Sequence, residues 1–205
     1  MGGRWCRVVP VDETRRTRRR GKALEGPILD AAWQELAERG WAGFSMSRVA
    51  TRAGASKASL YARWPNRVAL VRAAATHVAA THTSPPMNGG DLREDLLATL
   101  RIAAAFQDGP FGEALRGMVA EAKTADTTAL TMFTDEMPVQ AVVDIVAAAQ
   151  RQGRLAPGPR PTRVVNLGLT LLSHYFLVNG RVPSDAELVD IVTDTWLPLL
   201  ERAVE

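Results

Sequence analysis

Apolar residues recur every three or four positions along nearly the whole chain, and alternating β-branched stretches are absent, so the pattern predicts an all-α protein. The first stripe is Ile28, Leu29, Ala32, Trp33, Leu36 and Ala37, which predicts a helix over 26–39 stopped by Gly40. A short second helix follows, capped by Ser45 or Ser47 and running to Ala53 before Gly54. Ser56 caps a third that ends at Trp64, because Pro65 cannot continue it. Asn66 opens a fourth, with Val68, Val71, Ala75 and Val78 inward, fading near Thr81.

The stretch "TSPPMNGG" over 83–90 is the clearest break, with two prolines and two glycines in eight residues. Beyond it, Asp91 opens a helix to Gln107 and Gly109-Pro110 starts another towards Ala125. Residues 128–152 read as a long helix bent near Pro138. After "GRLAPGPRP" a final pair covers 162–179, stopped by Gly180, and 185–203, capped by Ser184. Asp185 and Glu187 suit the first turn of the last helix, whereas Pro198 should kink or shorten it. The sum is about nine helices in two domains, one over 23–82 and a larger one over 91–205.

Composition narrows the class. With 46% hydrophobic and 23% charged residues over 205 positions, the chain is globular rather than disordered. The single Cys6 excludes an internal disulfide, and the first 22 residues hold no apolar stretch of signal-peptide length. The most apolar run, Val164 to Val178, is interrupted by Asn166, Ser173 and His174 and is too short to span a bilayer. A cytoplasmic protein without a membrane partner is expected. The net charge of +3 conceals a division, since residues 1–80 carry 15 Lys and Arg against 6 Asp and Glu, and residues 81–205 carry 10 against 16. Such asymmetry points the front half at a polyanion. Its sharpest cluster is "RRTRRRGK", six basic residues in positions 15–22, within a flexible arm over 1–22. A run of this kind is either a solvated tail or an arm lying along phosphates.

The segment "FSMSRVATRAGASKASLYARWPNR" over 44–67 favours the second reading. A helix-turn-helix needs small residues where its helices cross, and Ala50 and Ala53 supply them. It needs a residue that tolerates a left-handed backbone at the corner, and Gly54 does so without a Cβ penalty. Its second helix must bury one face, here Leu60 and Trp64 with Val49, and expose Lys57, Ser59 and Arg63. Free amides near Ser56 would favour a phosphate.

These residues resemble the DNA-binding signature of TetR-family transcriptional regulators nearly throughout 26–80. The signature has an aromatic and a Ser or Thr before the second helix, Ala-x-x-Ala-Gly at the turn, a Leu-Tyr pair, and a basic residue opening the fourth helix. Trp64 stands where Phe is commoner and Arg67 where Lys is commoner, and both keep the chemistry. The resemblance implies phosphate contacts from Ser45, Tyr61 and Arg67, with Lys57, Ser59 and Ser56 nearest the base edges. It also implies a divergent helical regulatory domain in the remainder.

That remainder has no Gly-x-Ser-x-Gly elbow, phosphate loop or His-Glu-x-x-His, and its histidines lack ligand spacing, so neither enzyme nor metal or cofactor site is expected. It offers Phe106, Phe111, Met118, Phe133, Met137, His174 and Tyr175 as candidate lining for an effector cavity. Ordinary core packing accounts for the same stripe. Leu167, Leu171 and Leu172, with Ile191, Thr195 and Leu199, give the last two helices more apolar positions than one buried face needs. Two such helices predict a four-helix interface with a second copy, and a lone reading head binds too weakly for specificity.

The expectation is therefore a homodimeric regulator, more often a repressor, that binds a palindromic double-stranded operator and an unidentified small molecule. A DNA-binding architectural protein without sequence preference, or a helical enzyme that merely carries a hairpin, are the alternatives.

Overall fold

The computed structural model describes residues 25–82, 91–121 and 139–202, and all regular structure among these is helical. The basic arm, the 83–90 break and the bend near Pro138 lie outside the described residues. Helix α1 (Glu25–Gly43) buries Ile28, Leu29, Ala32 and Leu36. Gly40 interrupts it at φ 62°, where the predicted helix ends, and one further turn then carries Trp41 into the core. Helix α2 (Met46–Arg52), α3 (Lys57–Tyr61) and α4 (Arg67–His82) complete the first group. The α2–α3 corner turns at Gly54, φ 63°, and closes through the Ala55 amide donating to the Ala50 carbonyl at 2.9 Å. Asn66 caps α4 as predicted, its side-chain oxygen accepting from the Ala69 amide.

The second group comprises α5 (Leu92–Gln107), α6 (Pro110–Glu121), α7 (Val139–Arg151), α8 (Thr162–Val165), α9 (Leu167–Asn179) and α10 (Asp185–Asp190). A π-helical turn over Ile191–Trp196 and then α11 (Leu197–Glu201) end it. The helix predicted over 162–179 is thus divided at Asn166, and the one over 185–203 contains a wide turn. The wide turn lies just before Pro198: the Leu197 amide reaches back five residues to Val192, next to the position whose own N–H is missing. It also keeps Trp196 fully buried, with Nε1 donating to the Val164 carbonyl at 2.9 Å. Gly168 makes the space, since a Cβ there would stand 2.5 Å from Trp196 Cδ2.

Two apolar cores result. One is built from α5, α7, α9, α10 and the π turn, around Leu96, Leu100, Ile145, Leu172 and Trp196. The other holds α1 to α4 together, but Phe111, Ala114, Leu115 and Met118 of α6 and Phe176 of α9 belong to it as well. Packing therefore crosses the 83–90 break that the sequence marks. No helix among the described residues is long and apolar enough to cross a membrane.

Candidate nucleic-acid interface

Helix α3 is short, yet its orientation is fixed by one buried face. Leu60 is fully buried and Trp64 is 8% exposed, so this face is anchored in the first core. The opposite side is open: Lys57, Ala58, Ser59, Tyr61, Ala62 and Arg63 are all exposed, with Tyr61 at 48%. The Ser56 hydroxyl caps the helix by accepting from the Ser59 amide at 3.1 Å. That corrects the expectation of free amides at this end: Ser56 already satisfies one of them. Ser45 holds the cap position of α2 in extended conformation, but its hydroxyl makes no cap bond and stays available to an outside acceptor.

Positive charge near α3 is sorted by its partners. On α2, the Arg48 Nε donates to the Glu35 carboxylate at 2.6 Å, and the Arg52 Nη1 donates to Glu38 at 2.9 Å. Glu35 is only 1% exposed, so its pairing with Arg48 neutralises a buried carboxylate and ties α1 to α2. Arg52 holds the Glu38 carboxyl below the usual carboxylate range. Both arginines are thus committed inside the head.

Arg67, expected at a phosphate, is also held by partners within the chain. Its guanidinium pairs with Glu121 on α6, donates to the Trp41 carbonyl at 3.2 Å, and lies over the Trp41 ring at 4.1 Å. The Trp41 amide donates to Glu113 at 3.3 Å. At Gly117 a Cβ would stand 2.6 Å from Trp41 Cγ, and at Gly40 one would stand 2.9 Å from the Glu113 carboxyl carbon. Glu113, Gly117 and Glu121 fall four apart on α6, so a single stripe of that helix grips the Trp41 corner. The sequence reading missed this joint. Gly117, a glycine inside a helical pattern, was its visible signal.

Of the seven candidate cavity residues, five lie among the described residues. Phe106 stacks on Trp33 and meets Phe111 at a tilt of 35°, centroids 5.1 Å apart in each case, and Phe111 and Met118 are buried in the core beneath the head. His174 is exposed on α9. The Tyr175 hydroxyl donates to Glu187, and Arg181 lies over its ring. Phe133 and Met137 lie outside the described residues. A buried polar group absent from the candidate set is Gln107, 6% exposed, whose Nε2 donates to the Ser173 hydroxyl at 2.8 Å. Its Oε1 has no partner.

Of the candidate dimer residues, Leu167, Leu171, Ile191, Thr195 and Leu199 are half-buried within one chain. Leu172 is 1% exposed and belongs to the second core, which corrects its assignment to an outer face. Val178, at the end of α9, is 67% exposed.

Two family descriptions match the chain: bacterial regulatory proteins of the tetR family over residues 28–74, and the tetracyclin repressor-like C-terminal domain over 86–195. The DNA-binding transcriptional repressor TetR of Mycobacteroides abscessus is 33% identical over 111 residues, a stretch covering 52% of this chain and 58% of that relative. An uncharacterized HTH-type transcriptional regulator of Mycobacterium tuberculosis is 26% identical over 183 residues, 87% of this chain and 89% of the relative. Among solved structures, a TetR family transcription regulator superposes with a TM-score of 0.70 at 25% identity, covering 88% of this chain and 99% of the other. A TetR transcriptional regulator from Rhodococcus shares the fold at a TM-score of 0.58 and 19% identity, covering 92% and 99%.

Proposed function

The chain belongs to the TetR family of bacterial regulatory proteins, a DNA-binding transcriptional regulator of the repressor type, and from that premise we propose how it works. Residues 23–82 read a palindromic operator as one head of a homodimer, and residues 91–205 pair the two copies and bind a small-molecule effector that releases the DNA. The basic arm over 1–22 adds phosphate contacts that carry no sequence information. The observation that carries the reading is α3 itself: one face locked by Leu60 and Trp64, the other presenting Lys57, Ser59 and Tyr61 to solvent. A solvated hairpin has no need of that array, whereas a helix lying in a major groove does.

Lys57 is assigned to a guanine edge, Tyr61 and Ser45 to phosphates, and Ser56 and Ser59 to the groove margin. Arg67 reaches a phosphate only by leaving Glu121, so its contact depends on where α6 sits. That dependence supports release by an effector acting on the larger domain, because α6 touches both the head and the second group of helices.

An operator selected from random duplexes tests the reading. Lys57→Ala should cost ~1–3 kcal/mol and relax preference at one symmetric pair of positions. Tyr61→Phe should weaken all sequences alike, since the ring stays and only a phosphate donor goes. Equal affinity of the wild type for operator and random DNA would instead support the architectural reading.

A further inference from the structure

The outermost ridge of α3 carries no hydrogen-bonding group. At 3.6 residues per turn, the positions opposite Leu60 and Trp64 are Ala58 and Ala62. Both are exposed, and the Ala62 amide donates to the Ala58 carbonyl at 3.0 Å, so they stand one α-helical turn apart on one line. Hydrogen-bonding and charged residues flank them in two rows, Lys57 with Tyr61 on one side and Ser59 with Arg63 on the other. The part of the helix that leads into a groove is therefore a pair of methyl groups.

Resting on the reading of α3 as the groove-entering helix, we propose that Ala58 and Ala62 select thymine by packing on its C5-methyl group. The major groove displays one hydrocarbon substituent among its donors and acceptors, and that is the thymine methyl. An alanine facing it buries carbon against carbon. Facing a cytosine amino group or a guanine carbonyl, the same alanine displaces water and offers no partner in return. Side chains this short also let the helix backbone sit deep, which brings Lys57 and Ser59 within reach of neighbouring bases. Cβ atoms one turn apart are about 6 Å from each other, against about 3.4 Å per base along a strand, so the two methyls address thymines one or two base steps apart in each half-site.

The experiment uses the full-length protein and the operator it selects from random duplexes. Each thymine is replaced in turn by deoxyuridine, which removes the methyl and leaves every hydrogen-bonding group. Loss of affinity of about four-fold per methyl is expected at one or two positions of a half-site, and little elsewhere. Ala62→Gly should erase the thymine–uracil difference at one of these positions and leave the other, and Ala58→Gly should do the reverse. Ala62→Ser, which keeps a side chain on the helix, should reduce the same difference if glycine loosens so short an element. An operator bound equally well with uracil throughout overturns the inference while leaving sequence-specific binding intact. Uracil sensitivity unchanged in all three variants overturns it as well, because the methyls are then read by other groups or through duplex shape. Failure to select any sequence overturns the underlying reading of α3.

Discussion

Replacing Gly117 by alanine perturbs the joint between head and regulatory domain with a single methyl group. In an open helical position the change stabilises by about 1 kcal/mol, through the lower backbone entropy of alanine. At Gly117 the new carbon would stand 2.6 Å from Cγ and 2.9 Å from Nε1 of Trp41, whereas ordinary contact begins near 3.4 Å. The indole has little freedom to withdraw: it is 3% exposed, Arg67 covers its face at 4.1 Å, and the residue's own amide is bonded to Glu113. Overpacking of this kind costs about 1–3 kcal/mol, and several ring atoms are met at once, so a net loss of about 1–2 kcal/mol remains after the helical gain. Urea denaturation of the full-length protein reads it directly. Gly26→Ala, with nothing within 4 Å of the added carbon, serves as a control expected to be neutral or stabilising. Operator affinity should fall with Gly117→Ala as well, because displacing the indole shifts Arg67 at the start of α4. Repeating the substitution in a Trp41→Ala background should reverse its sign. A Gly117→Ala protein as stable as the wild type, or one equally destabilised when Trp41 is absent, would refute the joint.

Two further outcomes follow from other parts of the molecule. Leu171→Glu places a charge on the outer face of α9 and should yield a monomer by light scattering that no longer binds operator; a variant that remains dimeric moves the interface elsewhere. Glu187 accepts from the Arg181 guanidinium, the Tyr175 hydroxyl, and the Ser184 amide and hydroxyl, and these bonds, led by Arg181, hold its carboxyl far below the ordinary range. A depressed folded-state value means that its stabilisation is complete above about pH 4.3 and is lost as pH falls towards the folded value. Wild-type stability should therefore drop more steeply on acidification below that point than that of Glu187→Gln, and parallel curves would show that the cluster adds nothing.

Much of the head was legible because its determinants are local. Gly40, Gly54 and Pro65 mark stops whose cause lies in one residue's backbone, and Asn66 and Ser184 make the caps expected of them. The outward set on α3 follows from helical period alone. Other features depend on partners distant in sequence. Arg67 meets Glu121, 54 residues on, and no periodicity announces that an exposed-looking arginine will turn inward. Leu171 and Leu172 have equal hydropathy, and only the way α9 lies on α5 and the π turn makes one core and the other outer. The candidate cavity residues show the same dependence: Phe106, Phe111 and Met118 join the core beneath the head, whereas the Tyr175 hydroxyl donates to Glu187.

The shared interior beneath the head limits how this protein can be cut and rejoined. Phe111, Ala114, Leu115 and Met118 form one wall of the space that Ile28, Leu36 and Val71 fill. A hybrid regulator spliced at 83–90 would bring the reading helices of one parent against an α6 from the other, with Gly117 and its flanking acids replaced by whatever the second parent carries. Such a hybrid inherits a mismatched seam even when both parents fold well. Grafting new operator specificity onto this chain therefore calls for one of two routes: exchange of the outward residues over 57–63 alone, or a transplant that carries α6 along with the head.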